Sequence, residues 1–129
     1  NIKRYLDIEQ VRFDEKMIVK ISVSIDSEMV PVPSYILVPV LENAIKHGVQ
    51  PSTVPVKIDI TSEITNGMLK IEIQNGLETV QDVKKTGLGV GLQNVRDRIR
   101  LHFPENGSFS VSKKENSYTA TILIPVENK

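Results

Sequence analysis

Two short runs of alternating apolar residues, Val56/Ile58/Ile60 and Leu69/Ile71/Ile73, stand on either side of Asn66-Gly67. Period-two alternation marks a strand with one buried face, and Asn-Gly readily adopts the two positive φ angles of a tight hairpin turn. The pair commits the chain to an antiparallel sheet with one apolar face, and that face needs a covering layer. The rest of the pattern supplies one. Residues 2–13 carry Ile2, Leu6 and Phe13 near helical spacing without Gly or Pro, which predicts a helix. Met17, Val19, Ile21, Val23 and Ile25 alternate and predict a strand closed off by Pro31 and Pro33. A helical pattern then runs from about Ser34 to His47, with Gly48 as its C-terminal cap, and a second helix spans about 90–102. Pro104 to Gly107 form a turn, and Phe109/Val111 and Tyr118/Ala120/Ile122/Ile124 predict two final strands. This order fits an α+β fold: a two-layer sandwich with a mixed, mostly antiparallel sheet and helices on one face.

Composition excludes several classes. A chain of 129 residues is one domain able to bury roughly two thirds of its unfolded surface. Sixteen Lys and Arg balance sixteen Asp and Glu, so nothing electrostatic argues for a nucleic-acid partner. The absence of cysteine rules out a disulfide scaffold and any Cys-based zinc site. No apolar run approaches the ~18 residues of a membrane-spanning helix. The first residue is Asn1 rather than Met, which suggests a piece of a longer protein.

Two segments carry chemistry. Gly87, Gly89 and Gly91 lie at alternate positions ahead of an amphipathic helix. Glycine lets the backbone approach a ligand closely, and a helix start offers free N–H groups with a positive dipole end, which together suit phosphate. On the helix at 34–47, Ile36, Leu37, Val40, Leu41, Ala44 and Ile45 form an apolar half, and Glu42, Asn43, Lys46 and His47 the polar half. Asn43 and His47 fall at the stripe's edge, where a side chain can point into a cleft beside the sheet. The alternative is a solvated face with a Glu42–Lys46 pair worth about 0.3 kcal/mol. Pro39 lacks an N–H and crowds the Tyr35 carbonyl, which predicts a kink or a late helix start.

Read together, the segments become specific. Val38-Pro39-Val40-Leu41-Glu42-Asn43-Ala44-Ile45-Lys46-His47-Gly48 resembles the N-box of the GHKL (Bergerat-fold) ATPases, in particular the LytS-like sensor histidine kinases. Gly87-Leu88-Gly89-Val90-Gly91-Leu92 and the following Gln93-Asn94-Val95-Arg96-Asp97-Arg98-Ile99 resemble that branch's second glycine box and its helix. Tyr5-Leu6-Asp7-Ile8-Glu9 and Arg12-Phe13 resemble the segment joining its phosphoacceptor region to its catalytic domain. The resemblance implies a linker helix over residues 1–14 and an ATP-binding catalytic domain over 15–129. It implies ATP with Mg²⁺ as cofactors, Asn43 as a metal ligand, Lys46 and His47 near the phosphates, and Glu42 as the candidate catalytic acid or base. Gly87, Gly89, Gly91 and Leu92 would form the phosphate lid, while Asn75, Gly76 and Thr119 would contact the base.

The departures are local. Asn75 stands where the family's first glycine box has the Asp that accepts the adenine amino group, and a neutral amide is the weaker acceptor. Leu77 replaces a glycine of that box, and Ser117-Tyr118-Thr119 stands where Gly-Thr is usual. Neither His47 nor His102 fits a phosphoacceptor, and His102 suits capping or packing at a helix end. The expected whole is a kinase that passes the γ-phosphoryl group to a histidine on an upstream dimerisation domain and thence to a response regulator. The resemblance implies a monomeric isolated domain and a homodimeric, membrane-attached bacterial sensor with this domain in the cytoplasm. Asn75 and Leu77 keep open a degenerate, non-catalytic GHKL module, and a GHKL ATPase or serine kinase of another branch is a further alternative.

Overall fold

The computed structural model describes residues 2–24, 27, 30, 32–77 and 89–126. Five strands form one sheet in the spatial order β1-β2-β3-β5-β4. They are β1 (Met17–Val23), β2 (Val56–Thr65), β3 (Met68–Gly76), β4 (Ser108–Lys114) and β5 (Ser117–Pro125). β1 runs parallel to β2, and the other neighbouring pairs are antiparallel. The helices are α1 (Ile2–Phe13), α2 (Ser34–Ala44) and α3 (Val90–His102). This is the α+β sandwich that the periodicity predicts. Ile25, Pro31, Gly87 and Leu88 lie outside the described residues.

The hairpin sets the register of the sheet. Asn66 and Gly67 take φ of 54° and 75°, so both central turn residues are left-handed, as a primed turn requires. Ile60 then faces Ile73 and Ile58 faces Asn75, while on the other side of β3 Asn75 faces Tyr118 of β5. Directly opposed residues share a face. The apolar face therefore carries Ile58, Ile60, Leu69, Ile71, Ile73, Ala120, Ile122 and Ile124, all buried, and at one end it terminates in Asn75 and Tyr118. The opposite face carries exposed or half-exposed polar side chains, including the Lys57–Asp59 and Lys70–Glu72 pairs at 3.7 and 3.8 Å.

Ile36, Val40, Leu41 and Ala44 of α2 and Leu92, Val95 and Ile99 of α3 close the core. Their spacing of three and four residues turns one stripe of each helix to the sheet. Leu6 of α1 is also buried in this cluster, and α1 packs against α2. Burying each side chain of this size stabilises the fold by about 1.5–3 kcal/mol.

The N-box helix departs from expectation in two ways. It starts at Ser34 directly after Pro33 and runs through Pro39, so the start is not late. Pro39 has no N–H to give the Tyr35 carbonyl one turn back. Arg98 of α3 fills that vacancy: its Nη1 donates to Tyr35 O at 2.8 Å, and its guanidinium lies 5.4 Å from the Tyr35 ring centroid. At the other end Gly48 is not a cap. The chain passes from Ala44 into a π-helical turn over Ile45–Val49, closed by Gln50 N–H to Ile45 O at 2.8 Å. Gly48 sits buried within that turn because Asn75 lies against it, and a Cβ there would collide with the Asn75 amide. His102, exposed at the end of α3, brings its Nε2 to 3.4 Å from the Tyr35 hydroxyl of α2.

Candidate functional site

Where the three helices meet, they leave a cavity of about 560 Å³. α2 and the π-helical turn contribute Pro39, Glu42, Asn43, Lys46 and His47 to its wall, and the start of α3 contributes Gly89, Gly91 and Leu92. Tyr5, Glu9 and Arg12 of α1 form the remaining side. The volume lies within the range of small-molecule sites. Local folding explains why polar groups face it. Val40, Leu41 and Ala44 point into the core, which turns Glu42 and Asn43 to the flank, and the π-helical turn carries Lys46 and His47 onto the same side. Such turns recur at functional sites because their wider spacing re-aims side chains.

Gly89 and Gly91 are informative for what they lack. Neither has a positive φ, and no described atom lies within 4 Å of a Cβ built on either one. Gly89 takes φ −71° and ψ 175° as the residue ahead of α3, a conformation open to any residue. Neither backbone conformation nor crowding by described atoms calls for glycine here. What glycine preserves at these positions is open cavity beside backbone that a ligand can approach.

Asn43 is half-buried, and its side chain hydrogen-bonds the Tyr118 hydroxyl. Burial pushes the Tyr118 pKa up, and the bond from Asn43 opposes that rise. Asn75 is 1% exposed: its Nδ2 donates to Gly76 O at 3.0 Å, and its Oδ1 is buried with no hydrogen-bond partner among the described residues. An orphaned buried acceptor costs about 1–3 kcal/mol.

The cavity mixes charges. Arg12 and Lys46 supply permanent cations, and Glu9 and Glu42 supply carboxylates. Tyr5 registers both acids. Its pKa is pushed up to about 12, first by burial and then by Glu9 and Glu42, with Arg12 opposing. Among the described residues no cluster of three or more His, Asp or Glu could enclose a metal. A divalent cation here would take most of its ligands from a bound anion and water, which is the habit of Mg²⁺.

Of the site residues predicted from sequence, Glu42, Asn43, Lys46, His47, Gly89, Gly91 and Leu92 line one cavity. Asn75 and Gly76 do not line it, but Asn75 lies against Gly48 and faces Tyr118, the partner of Asn43. Thr119 pairs with Gln74 and so lies on the sheet face opposite Asn75; the position beside Asn75 belongs to Tyr118. The alternation Tyr118/Ala120/Ile122/Ile124 carries the signal for that position. Gly87 is outside the described residues. Tyr5, Glu9 and Arg12 belong to the segment read from sequence as a linker, and their place on the cavity wall arises from the packing of α1 on α2.

No family model matches the chain. The sensor histidine kinase YesM of Bacillus subtilis is 31% identical over 134 residues, covering 99% of this chain and 23% of the relative. The sensor protein LytS of Bacillus anthracis is 23% identical over 97% of this chain and 23% of its own length. The chain thus spans less than a quarter of the length of these relatives. Among solved structures, the catalytic domain of the histidine kinase ThkA has the same fold, with a TM-score of 0.73 at 18% identity over 98% of this chain and 91% of that one. Along nearly its whole length the chain is homologous to a segment of sensor histidine kinases that include LytS, and it shares the fold of a histidine kinase catalytic domain.

Proposed function

We propose that the chain binds Mg·ATP in the cavity between α1, α2 and α3 and delivers the γ-phosphoryl group to a histidine on an adjoining domain. The observation that carries this reading is the meeting of Asn43, Lys46, Gly89 and Gly91, from segments far apart in sequence, around one cavity of about 560 Å³. Phosphoryl transfer asks a protein mainly for positioning and charge neutralisation. Magnesium, when bound, would neutralise charge on the phosphate oxygens. Asn43, held by its hydrogen bond with the Tyr118 hydroxyl, would offer its amide oxygen as a neutral ligand. Lys46 and His47 supply cationic or donor groups toward the phosphates, and Gly89 and Gly91 leave room for them beside the start of α3. Glu42, exposed on the cavity wall, is the candidate to orient the incoming histidine.

The base end falls to Asn75. Its unpartnered Oδ1 is an acceptor suited to the amino group of adenine, and the bond from its Nδ2 to Gly76 O holds the amide in that orientation. Gly76 would lie beside the base. The upstream phosphoacceptor and dimerisation domain, the response regulator and attachment of the whole sensor to a membrane belong to the same proposal. No helix among the described residues is long and apolar enough to cross a membrane.

Calorimetric titration with ATP tests the reading, and saturable binding that strengthens when Mg²⁺ is added is the expected result. No saturable binding at millimolar nucleotide would favour a non-catalytic module. Joined to its phosphoacceptor segment, the domain should yield acid-labile phosphohistidine; acid-stable phosphoserine would point to another GHKL branch.

A further inference from the structure

The roles given to α2 and α3 leave the third wall of the cavity unexplained. We infer that α1 supplies a phosphate-binding cation: Arg12 takes a terminal phosphate oxygen of the bound nucleoside triphosphate, a role that rests on the nucleotide reading of the cavity. Tyr5, Glu9 and Arg12 follow one another at four and three residues, which puts them on a single helix face, and all three line the cavity. α1 is firmly held there. Leu6 is 4% exposed within the core, and Gln10 Nε2 ties the end of the helix to Asp14 O at 2.8 Å and to Met17 O at 2.6 Å.

The Arg12 guanidinium has hydrogen-bonding capacity to spare. It lies 3.6 Å from Glu9 Oε2, beyond hydrogen-bond length, and 5.0 Å from the centroid of the Phe13 ring. Glu9 Oε2, although buried, accepts no hydrogen bond from a described residue. No hydrogen bond to a described residue engages the Arg12 donors, and a planar guanidinium matches a phosphate group in geometry as well as charge. The charge balance points the same way. With Arg12 and Lys46, the permanent cations on the wall equal the two carboxylates, Glu9 and Glu42; without Arg12 the carboxylates outnumber them, a poor setting for a triphosphate. α1 packs against α2, and Glu9 of the one and Glu42 of the other both border this space.

The test is titration of the chain and its Arg12→Gln variant with Mg·ATP and with AMP, beside Arg4→Gln as a control of equal charge change. Arg4 is exposed on α1 and is not among the cavity residues. Arg12→Gln should weaken ATP binding about tenfold, the scale of a lost charge-assisted contact, while changing AMP binding less than about twofold. Arg12→Lys should fall between, and Arg4→Gln should match the unaltered chain. Circular dichroism should show all variants folded, since Arg12 is largely exposed. ATP binding by Arg12→Gln equal to that of the unaltered chain, or an equal loss in Arg4→Gln, would overturn the role of α1 and leave the nucleotide site standing. Failure of the unaltered chain to bind ATP would overturn the nucleotide site itself.

Discussion

At the scale of single residues, the proposed site rests on two amides, of which Asn75 commits its nitrogen to Gly76 O and leaves its oxygen open. Asn43 is oriented by the Tyr118 hydroxyl. Asn43→Ala should therefore remove the Mg²⁺-dependent part of ATP affinity and leave the melting temperature nearly unchanged, because the side chain lies at the edge of the core. Tyr118→Phe keeps the ring but frees the Asn43 amide, and should weaken Mg·ATP binding about threefold to tenfold, on the scale of one neutral hydrogen bond. Both are read by calorimetry with and without Mg²⁺. Asn75 poses the opposite balance, since its orphaned Oδ1 destabilises the protein while it waits for a ligand. Asn75→Leu should leave unfolding free energy in urea unchanged or raise it by up to about 1 kcal/mol, and should abolish any preference for ATP over inosine triphosphate, which lacks the 6-amino group. A large loss of stability with the preference intact would contradict the role given to that oxygen.

At the scale of elements, the N-box helix is held by a partnership between a missing donor and a borrowed one. Pro39 leaves the Tyr35 carbonyl without its helical N–H, and Arg98 of α3 replaces it. Arg98→Ala should destabilise the fold by about 1–2 kcal/mol in denaturant unfolding. Pro39→Ala restores the helical donor, so the same Arg98→Ala change made in that background should cost much less, and the double-mutant cycle reads the difference as coupling. Equal costs in both backgrounds would show that Arg98 acts elsewhere. The periodicity predicted α2 and α3, but not this bond, because a carbonyl orphaned by Pro39 is visible in sequence while its rescuer on another helix is not. The same limit explains Gly48. A glycine after a helical run reads as a cap, yet here the requirement comes from Asn75, on β3, pressing against the π-helical turn. Thr119 differs in kind, since period-two counting back from Ile122 and Ala120 reaches Tyr118 and puts Thr119 on the solvent side.

At the scale of the whole molecule, the two-layer sandwich was legible because its signals are local: alternation along each strand, Asn66-Gly67 between β2 and β3, and the apolar stripes of α2 and α3. The cavity was only half legible. Its α2 and α3 walls carry residue patterns, whereas α1 reads as an amphipathic helix whose packing partner sequence does not name. The pH dependence of stability tests that packing. Tyr5 ionises near 10 in the unfolded chain and near about 12 when folded, so the stability tied to its neutral form is complete below pH 10 and is lost as pH rises toward about 12. Tyr5→Phe should flatten part of that decline in alkaline unfolding experiments, with Tyr118, also shifted upward, accounting for a remainder. An unchanged profile would mean that Tyr5 is not buried on α1 in the folded chain.

The central claim is that one nucleotide occupies the cavity between the three helices, and the most direct measurement is mapping of amide chemical shifts during titration with Mg·ATP. Saturable shifts should concentrate at Asn43, Lys46, Gly89 and Gly91, extend to Asn75 and Gly76, and shrink at the α2 and α3 positions when Mg²⁺ is withheld. Shifts confined to the exposed face of the sheet, or none at millimolar nucleotide, would contradict it.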